Sequence, residues 1–148
     1  MEIVMLLPEL PNAGQPFPQV STAGRPSAEQ FALARQRGVG MVVNLCPHSE
    51  PAAYDEPSLV EALGLRYVNI PIANAGDLSE ANARRLADAL AQAEGAALVH
   101  CASSNRVGAL FALKAFWLDG KGAEEALAIG RAAGLKAMEP AVRQLIGT

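Results

Sequence analysis

Three stretches of the chain are apolar enough to be strands, and helix-like spacing follows each of them. "GMVVNL" at 40–45 reads as a short buried strand. In "RYVNIPI", Tyr67, Asn69 and Pro71 alternate with Val68, Ile70 and Ile72, the period of two of a strand, and "AALVHC" at 96–101 is the third. Ser27 followed by Gln30 is a capping box for a helix through Arg37 that Gly38 closes. Pro57 and Ser58 open a second helix ending at Gly64, and Asp77 and Glu80, or Ser79 as the cap itself, start a third running to about Glu94. A fourth runs from near Arg106 to Gly120. Its Val107, Leu110, Phe111, Leu113, Phe116, Trp117 and Leu118 make it apolar nearly all round, so it is expected to be the central buried helix, with Trp117 in the core. Helical segments at 123–133 and 139–146, punctuated by Gly122 and Gly134, finish the chain, with Pro140 admissible in a first turn. Strands alternating with helices predict an α/β fold of three layers, a mostly parallel central sheet with helices on both faces. Pro8, Pro11, Pro16, Pro18 and Pro26 make the first residues, about 1–20, an irregular arm with room for one or two short edge strands.

Length and composition narrow the classes. The 148 residues suit one domain, 1–148, and show no repeat or linker between two cores. A net charge of −3 leaves no electrostatic footprint for nucleic acid, which is set aside as a partner. The apolar start "MEIVMLLPEL" carries Glu2, lacks a basic leader and meets Pro8 before a signal core could form. The longest helical apolar run, Val107 to Leu118, is interrupted by Lys114 and falls short of the ~20 residues that span a bilayer, so no membrane role is expected. Two cysteines without a leader fit reduced thiols in a cytoplasmic protein.

The chemistry gathers in "HCASSNR", at the carboxyl end of the third strand, where open α/β sheets bind ligands. The backbone N–H groups of Ala102, Ser103, Ser104 and Asn105, curling into a helix N-terminus, form a site for an anion, and the Arg106 guanidinium adds a planar fork for two oxygens. Positive potential of this kind lowers a thiol from about 8.5 to roughly 3.5–7.5, which would make Cys101 a thiolate nucleophile. The plainer alternative is that Cys101 is a small apolar residue closing a strand. His100, on the other strand face, reads as a core histidine bonded to backbone and supporting the loop, ahead of a base or ligand role. Gly24 and Arg25 read as turn geometry. Arg84, Arg85, Arg131 and Arg143 read as solvated charges, with Arg131 able to approach the pocket from the penultimate helix.

The His-Cys start and Arg end of this loop resemble the signature of the protein tyrosine and dual-specificity phosphatase superfamily, which has five residues between Cys and Arg where Ala102 to Asn105 make four. Four is the spacing of the bacterial phosphatase-like family typified by beta-lactamase hydrolase-like proteins. "STAGRPSAEQFALARQRGVGMVVNL", "YVNIPI", "GDLSEANARRLADAL" and "ALVHCASSNRVGAL" resemble that family's segments in order and spacing, over about residues 20–146. The resemblance implies a phosphatase-type fold and a cysteine-dependent hydrolase of phosphomonoesters, acting on a phosphorylated protein or small molecule. Cys101 would attack phosphorus, Arg106 and the loop amides would hold the equatorial oxygens, and an acid would protonate the leaving group. Asp77 matches the family position of that acid and equally reads as a helix N-cap; Glu50 and Asp55 are weaker candidates, read first as solvated loop charges. The family usually has Gly where Ser104 stands, so this side chain is expected to narrow or tilt the cradle or add a hydroxyl donor.

Cys46 ends "VVNLC" at the carboxyl edge of a neighbouring strand. It is a candidate redox partner that could trap Cys101 as a disulfide, an arrangement some phosphatase-superfamily members resemble, or else an inert buried thiol. With His48 and His100 the cysteines match no zinc pattern, so no metal and no cofactor are expected. Two other functions stay open. The four-residue spacer also occurs in rhodanese sulfurtransferases, which would carry a persulfide on Cys101, and a non-catalytic module would bind the anion and turn nothing over.

Overall fold

The computed structural model describes residues 4–148; Glu2, read above against a leader, lies outside them. Among the described residues, five strands form one sheet: β1 (Gly14–Phe17), β2 (Val20–Ala23), β3 (Val39–Asn44), β4 (Arg66–Asn69) and β5 (Ala96–His100), in the order β1-β2-β5-β3-β4. β1 is antiparallel to β2, and the other pairings are parallel, with Val42 opposite Leu98 and Asn44 opposite His100. Six helices among the described residues cover the sheet: α1 (Ala28–Gln36), α2 (Glu56–Ala62), α3 (Glu80–Ala91), α4 (Asn105–Trp117), α5 (Ala123–Ala132) and α6 (Glu139–Ile146). One apolar cluster joins Phe31, Val42, Val60 and Leu98 beneath α1 and α2; the other joins Met41, Val43, Val99, Leu110 and Phe111 beneath α3 to α6. The three-layer α/β architecture expected from the alternation is therefore present, and β5 is buried along its whole length because both faces are covered.

The elements follow from local chemistry. The Ser27 hydroxyl accepts from the Gln30 amide at 3.1 Å while Gln30 Oε1 accepts from the Ser27 amide at 2.9 Å, so both partners of the capping box are in place. α4 is central as expected, with Val107 to Leu113 and Ala115 buried, while Trp117 at its end is only partly buried against the core.

Several boundaries differ from the sequence reading by one to a few residues, and β3 (39–44) and α4 (105–117) are shifted or shortened in this way. The arm contributes β1, an edge strand that accommodates Pro16, but β2 is interior, held between β1 and β5. α2 starts one residue earlier than Pro57, because Asp55 caps it by accepting from the Ser58 amide. β4 ends at Asn69, two residues before Pro71, although Ile70 and Ile72 still donate to Asn44 O and Leu45 O. α3 ends at Ala91.

Candidate active site

The segment 101–106 leaves β5 and enters α4, so the topology puts it at the carboxyl edge of the sheet beside the end of β3. Cys101 is fully buried, and Ala102 and Ser103 are exposed at the crest. Its first anchor is the turn after β2: the Arg25 amide donates to Ala102 O at 3.1 Å. Gly24 is needed there, since a Cβ would stand 2.7 Å from Ala102 O.

Ser104 occupies the N-cap position of α4 in the left-handed region, φ 68°, which explains the glycine expected there. It does not cap the helix. Its hydroxyl donates to Ala133 O at 2.7 Å, and the buried side chain packs against Gly134, where a Cβ would stand 2.4 Å from the Ser104 hydroxyl. The expectation that this side chain narrows the cradle or donates into it is therefore corrected: it points toward the α5–α6 turn. Asn105 also looks away, with its Oδ1 accepting from the Lys136 and Met138 amides at 2.9 and 3.2 Å. Only the backbone of these two residues is left for an anion. Because no side chain caps the first turn of α4, its orphan N–H groups face the loop with the positive end of the helix dipole.

Arg106 lies on that first turn. Its Nη1 donates to Glu50 Oε2 at 2.7 Å and to Ile72 O at 2.8 Å, and its Nη2 donates to Glu50 Oε1 at 3.1 Å and lies 3.7 Å from Cys46 Sγ. Glu50 is thus a bidentate partner of the arginine and not the solvated charge read from sequence. The Arg106 hydrogen bonds hold its carboxyl below the ordinary carboxylate range. Burial pushes the Cys46 thiol up to about 11, against the opposing fields of Arg25 and Arg106. Both cysteines are free, and both belong to the apolar cluster beneath α3 to α6. Asn44 Oδ1 accepts from the Cys46 N–H at 2.9 Å, which fixes the backbone at the end of β3.

On the opposite sheet face, His100 is fully buried, with Nε2 2.6 Å from Glu56 Oε2 and Nδ1 3.3 Å from Cys101 O. One ring nitrogen thus meets backbone, as a core histidine would, while the other meets a carboxylate at the start of α2 that was not read from the sequence. Arg25 Nη1 is 3.5 Å from the other oxygen, Glu56 Oε1, which is buried without a hydrogen-bond partner. Arg25 therefore contributes both backbone and charge to the site. The only sequence signal for Glu56 was indirect: a buried histidine needs a partner, and Glu56 is 44 residues away.

Asp77 lies in a single 3-10 turn at Ala75–Asp77, and its Oδ2 accepts from the Ala73 amide at 2.8 Å. The N-cap of α3 is Ser79, whose hydroxyl accepts from the Asn82 amide. Asp77 thus braces the loop that begins at Ile72, the residue whose carbonyl holds Arg106. His48 stacks on Tyr67 with its Nε2 2.9 Å from the phenol oxygen. Arg131 is half exposed and paired with Glu139 at 2.7 Å, so it does not approach the pocket; Arg84 and Arg143 are likewise paired, with Glu80 and Glu139.

This sheet order, with a cysteine loop running from the central strand into a buried helix, defines a protein-tyrosine-phosphatase-like fold. No family model matches the chain. A beta-lactamase hydrolase-like protein of Xylella fastidiosa is 31% identical over 121 residues, 78% of this chain, so the chain spans about 28% of the length of that relative. A DUF442 candidate phosphatase of Shewanella putrefaciens CN-32 is 28% identical, with a TM-score of 0.77 over 96% of this chain and 93% of its own. At 18% identity, P. aeruginosa TpbA in complex with pTyr shares the fold, with a TM-score of 0.56 over 93% of this chain and 91% of its own. The resemblance read from the loop and its flanking segments is therefore borne out: the chain has a phosphatase-like fold and is similar both to a beta-lactamase hydrolase-like protein and to a DUF442 candidate phosphatase. Among the described residues, no helix is long and apolar enough to cross a membrane.

Proposed function

We propose that residues 1–148 form one domain that hydrolyses phosphomonoesters, phosphotyrosine or another phosphate ester, in a reducing, cytoplasmic setting. The observation that carries this reading is the uncapped first turn of α4 directly after Cys101, with Arg106 on that turn. The amides of residues 102–106 and the Arg106 fork would bind the equatorial oxygens and stabilise the charge of the transition state. Cys101 Sγ would attack phosphorus as the P–O bond to the leaving group breaks, and Asp77 would give that oxygen its proton. Water then attacks the thiophosphoryl group, releasing phosphate and restoring the thiolate. That TpbA was solved with pTyr supports a phosphate ester as the ligand. His100 would support the loop through Cys101 O. Cys46 would protect the nucleophile: peroxide converts Cys101 to a sulfenic acid, and attack by the Cys46 sulfur forms a disulfide and releases water.

The test is hydrolysis of p-nitrophenyl phosphate from about pH 5 to pH 8, the window in which an acid and a thiolate are both poised. Release by the wild type that disappears in Cys101→Ser is expected, and Asp77→Asn should lower kcat and flatten the alkaline limb. Equal release by both proteins refutes the mechanism. Sulfur transfer is the second reading, favoured by the four-residue spacer and by a second thiol 3.7 Å from Arg106. It predicts no hydrolysis but a mass gain of one sulfur on Cys101 after thiosulfate treatment. A module that only binds would hold tungstate equally well as wild type or Cys101→Ser.

A further inference from the structure

Beside the loop lies a cleft of about 310 Å³ whose walls include Arg25, His48, Glu50, Tyr54, Asp55 and Glu56. It adjoins the phosphate loop through two residues: the Arg25 amide bonds Ala102 O, and the Glu50 carboxylate holds Arg106. Cys101 is not part of its wall, so the cleft is placed to take what is attached to a bound phosphate and not the phosphate itself.

Its chemistry is polar. Its two aromatic rings are already engaged inside the protein: the Tyr54 hydroxyl donates to Pro26 O and its ring packs in a T-shaped contact with Phe31, while the His48 imidazole stacks on Tyr67. Glu56, by contrast, is 4% exposed and has one carboxylate oxygen without a hydrogen-bond donor. That oxygen has only the Arg25 guanidinium at 3.5 Å, an ion pair without a hydrogen bond, and a buried acceptor left in this state gains from a well-placed donor. Glu50, Asp55 and Glu56 outnumber Arg25 and Arg106 around the cleft by one charge, which favours a donor that is neutral or cationic.

We infer that this cleft is the leaving-group subsite, and that it selects alkyl phosphates bearing a hydroxyl or ammonium donor a few bonds from the ester oxygen, with Glu56 Oε1 as the acceptor. The inference rests on the phosphate-binding reading of the loop. It does not require that aryl esters be excluded, only that a donor on an alkyl chain be rewarded.

The test compares esters of similar leaving ability that differ in the donor: 2-hydroxyethyl phosphate and glycerol 1-phosphate against 2-methoxyethyl phosphate. In the wild type, kcat/KM for the donor-bearing esters should exceed that for the methoxy ester by at least about tenfold, the effect of one hydrogen bond to a charged group. Ala52→Trp, which fills the cleft from an exposed wall position, should reduce that preference to near unity, with tungstate affinity reporting whether the loop is intact. Protection of Cys101 from iodoacetamide by the same esters gives the ranking without turnover. If p-nitrophenyl phosphate is hydrolysed but the alkyl esters rank equally, the subsite is refuted and the phosphatase reading stands. If nothing is hydrolysed yet the donor-bearing esters protect better, the phosphatase reading fails and the subsite stands. A preference that survives Ala52→Trp also overturns the inference.

Discussion

Replacing Ser104 with alanine removes the donor from Ala133 O while a side chain stays at φ 68°, so two costs at this position can be separated. Ala133 is fully buried, and a buried acceptor left without its donor costs roughly 1–3 kcal/mol. Ser104→Ala should therefore be destabilised by about that amount. Ser104→Gly loses the same hydrogen bond but escapes left-handed strain worth roughly 1–2 kcal/mol. It gives back about 0.5–1 kcal/mol through the greater freedom of glycine in the unfolded chain. The glycine variant should then be more stable than the alanine variant by about 0.5–1 kcal/mol. Urea melts read this as an ordered series of midpoints, wild type first, glycine next and alanine last, at unchanged slope. Tungstate affinity should stay within about twofold in Ser104→Ala, because a lost hydroxyl that faces the α5–α6 turn removes no donor from the cradle. An alanine variant as stable as its glycine counterpart refutes the strain argument. A folded alanine variant that no longer binds tungstate refutes the orientation.

Glu50→Gln should lower stability at neutral pH, and the gap to wild type should close as pH falls. The Glu50 carboxyl is depressed by Arg106 in the folded state, so its contribution is present above the unfolded value near 4.5 and is lost as pH drops through the folded value. Melting temperatures from pH 7 downward check this, and a gap that widens in acid contradicts it. In Cys101→Ser, where Cys46 is the remaining thiol, a value of about 11 leaves about one molecule in 3000 as thiolate at pH 7.5, so iodoacetamide labelling should be slow and rise about tenfold per pH unit. A rate that levels off below about pH 9 would show an ordinary thiol. Leu110→Ala, in the buried face of α4, should cost about 2–5 kcal/mol in a urea melt, and a smaller loss would mean the neighbouring helices collapse onto the space.

What the sequence disclosed depended on how local the physics was. The capping box of α1 and the buried run of α4 are decided by neighbours within four or five residues, and they were legible. The strand ends were legible less well, because Pro71 stops the β4 ladder while Ile72 keeps its bond to the next strand. The cysteine loop stood out because its donors and its arginine are adjacent in the chain. Its partners did not. Glu50 meets Arg106 across 56 residues and Glu56 meets His100 across 44, and in sequence each looks like one more loop or helix-start charge. Ser104 was legible as a departure from glycine, but its direction depended on the cavity opposite Gly134, which only the packed α5–α6 turn creates.

These distant partners explain why so short a loop can be ordered before any anion arrives. Five segments fix it: the turn after β2 through Ala102 O, the α5–α6 turn through Ser104 and Asn105, the start of α2 through His100, and the two loops after β3 and after β4 through Arg106. Preorganisation of this kind moves the cost of ordering into folding, where burial of α4 offsets it, so that binding need not supply it. The arrangement also defines what binding must change. Nη1 and Nη2 of Arg106 already donate to Glu50 and Ile72, so an anion that takes the full fork has to draw the guanidinium away from Glu50 or share it. Glu50 therefore holds the arginine at the edge of the loop and, under the proposed function, would compete with the phosphate ester for it. The balance between those two roles is set by one carboxylate that also forms part of the cleft wall.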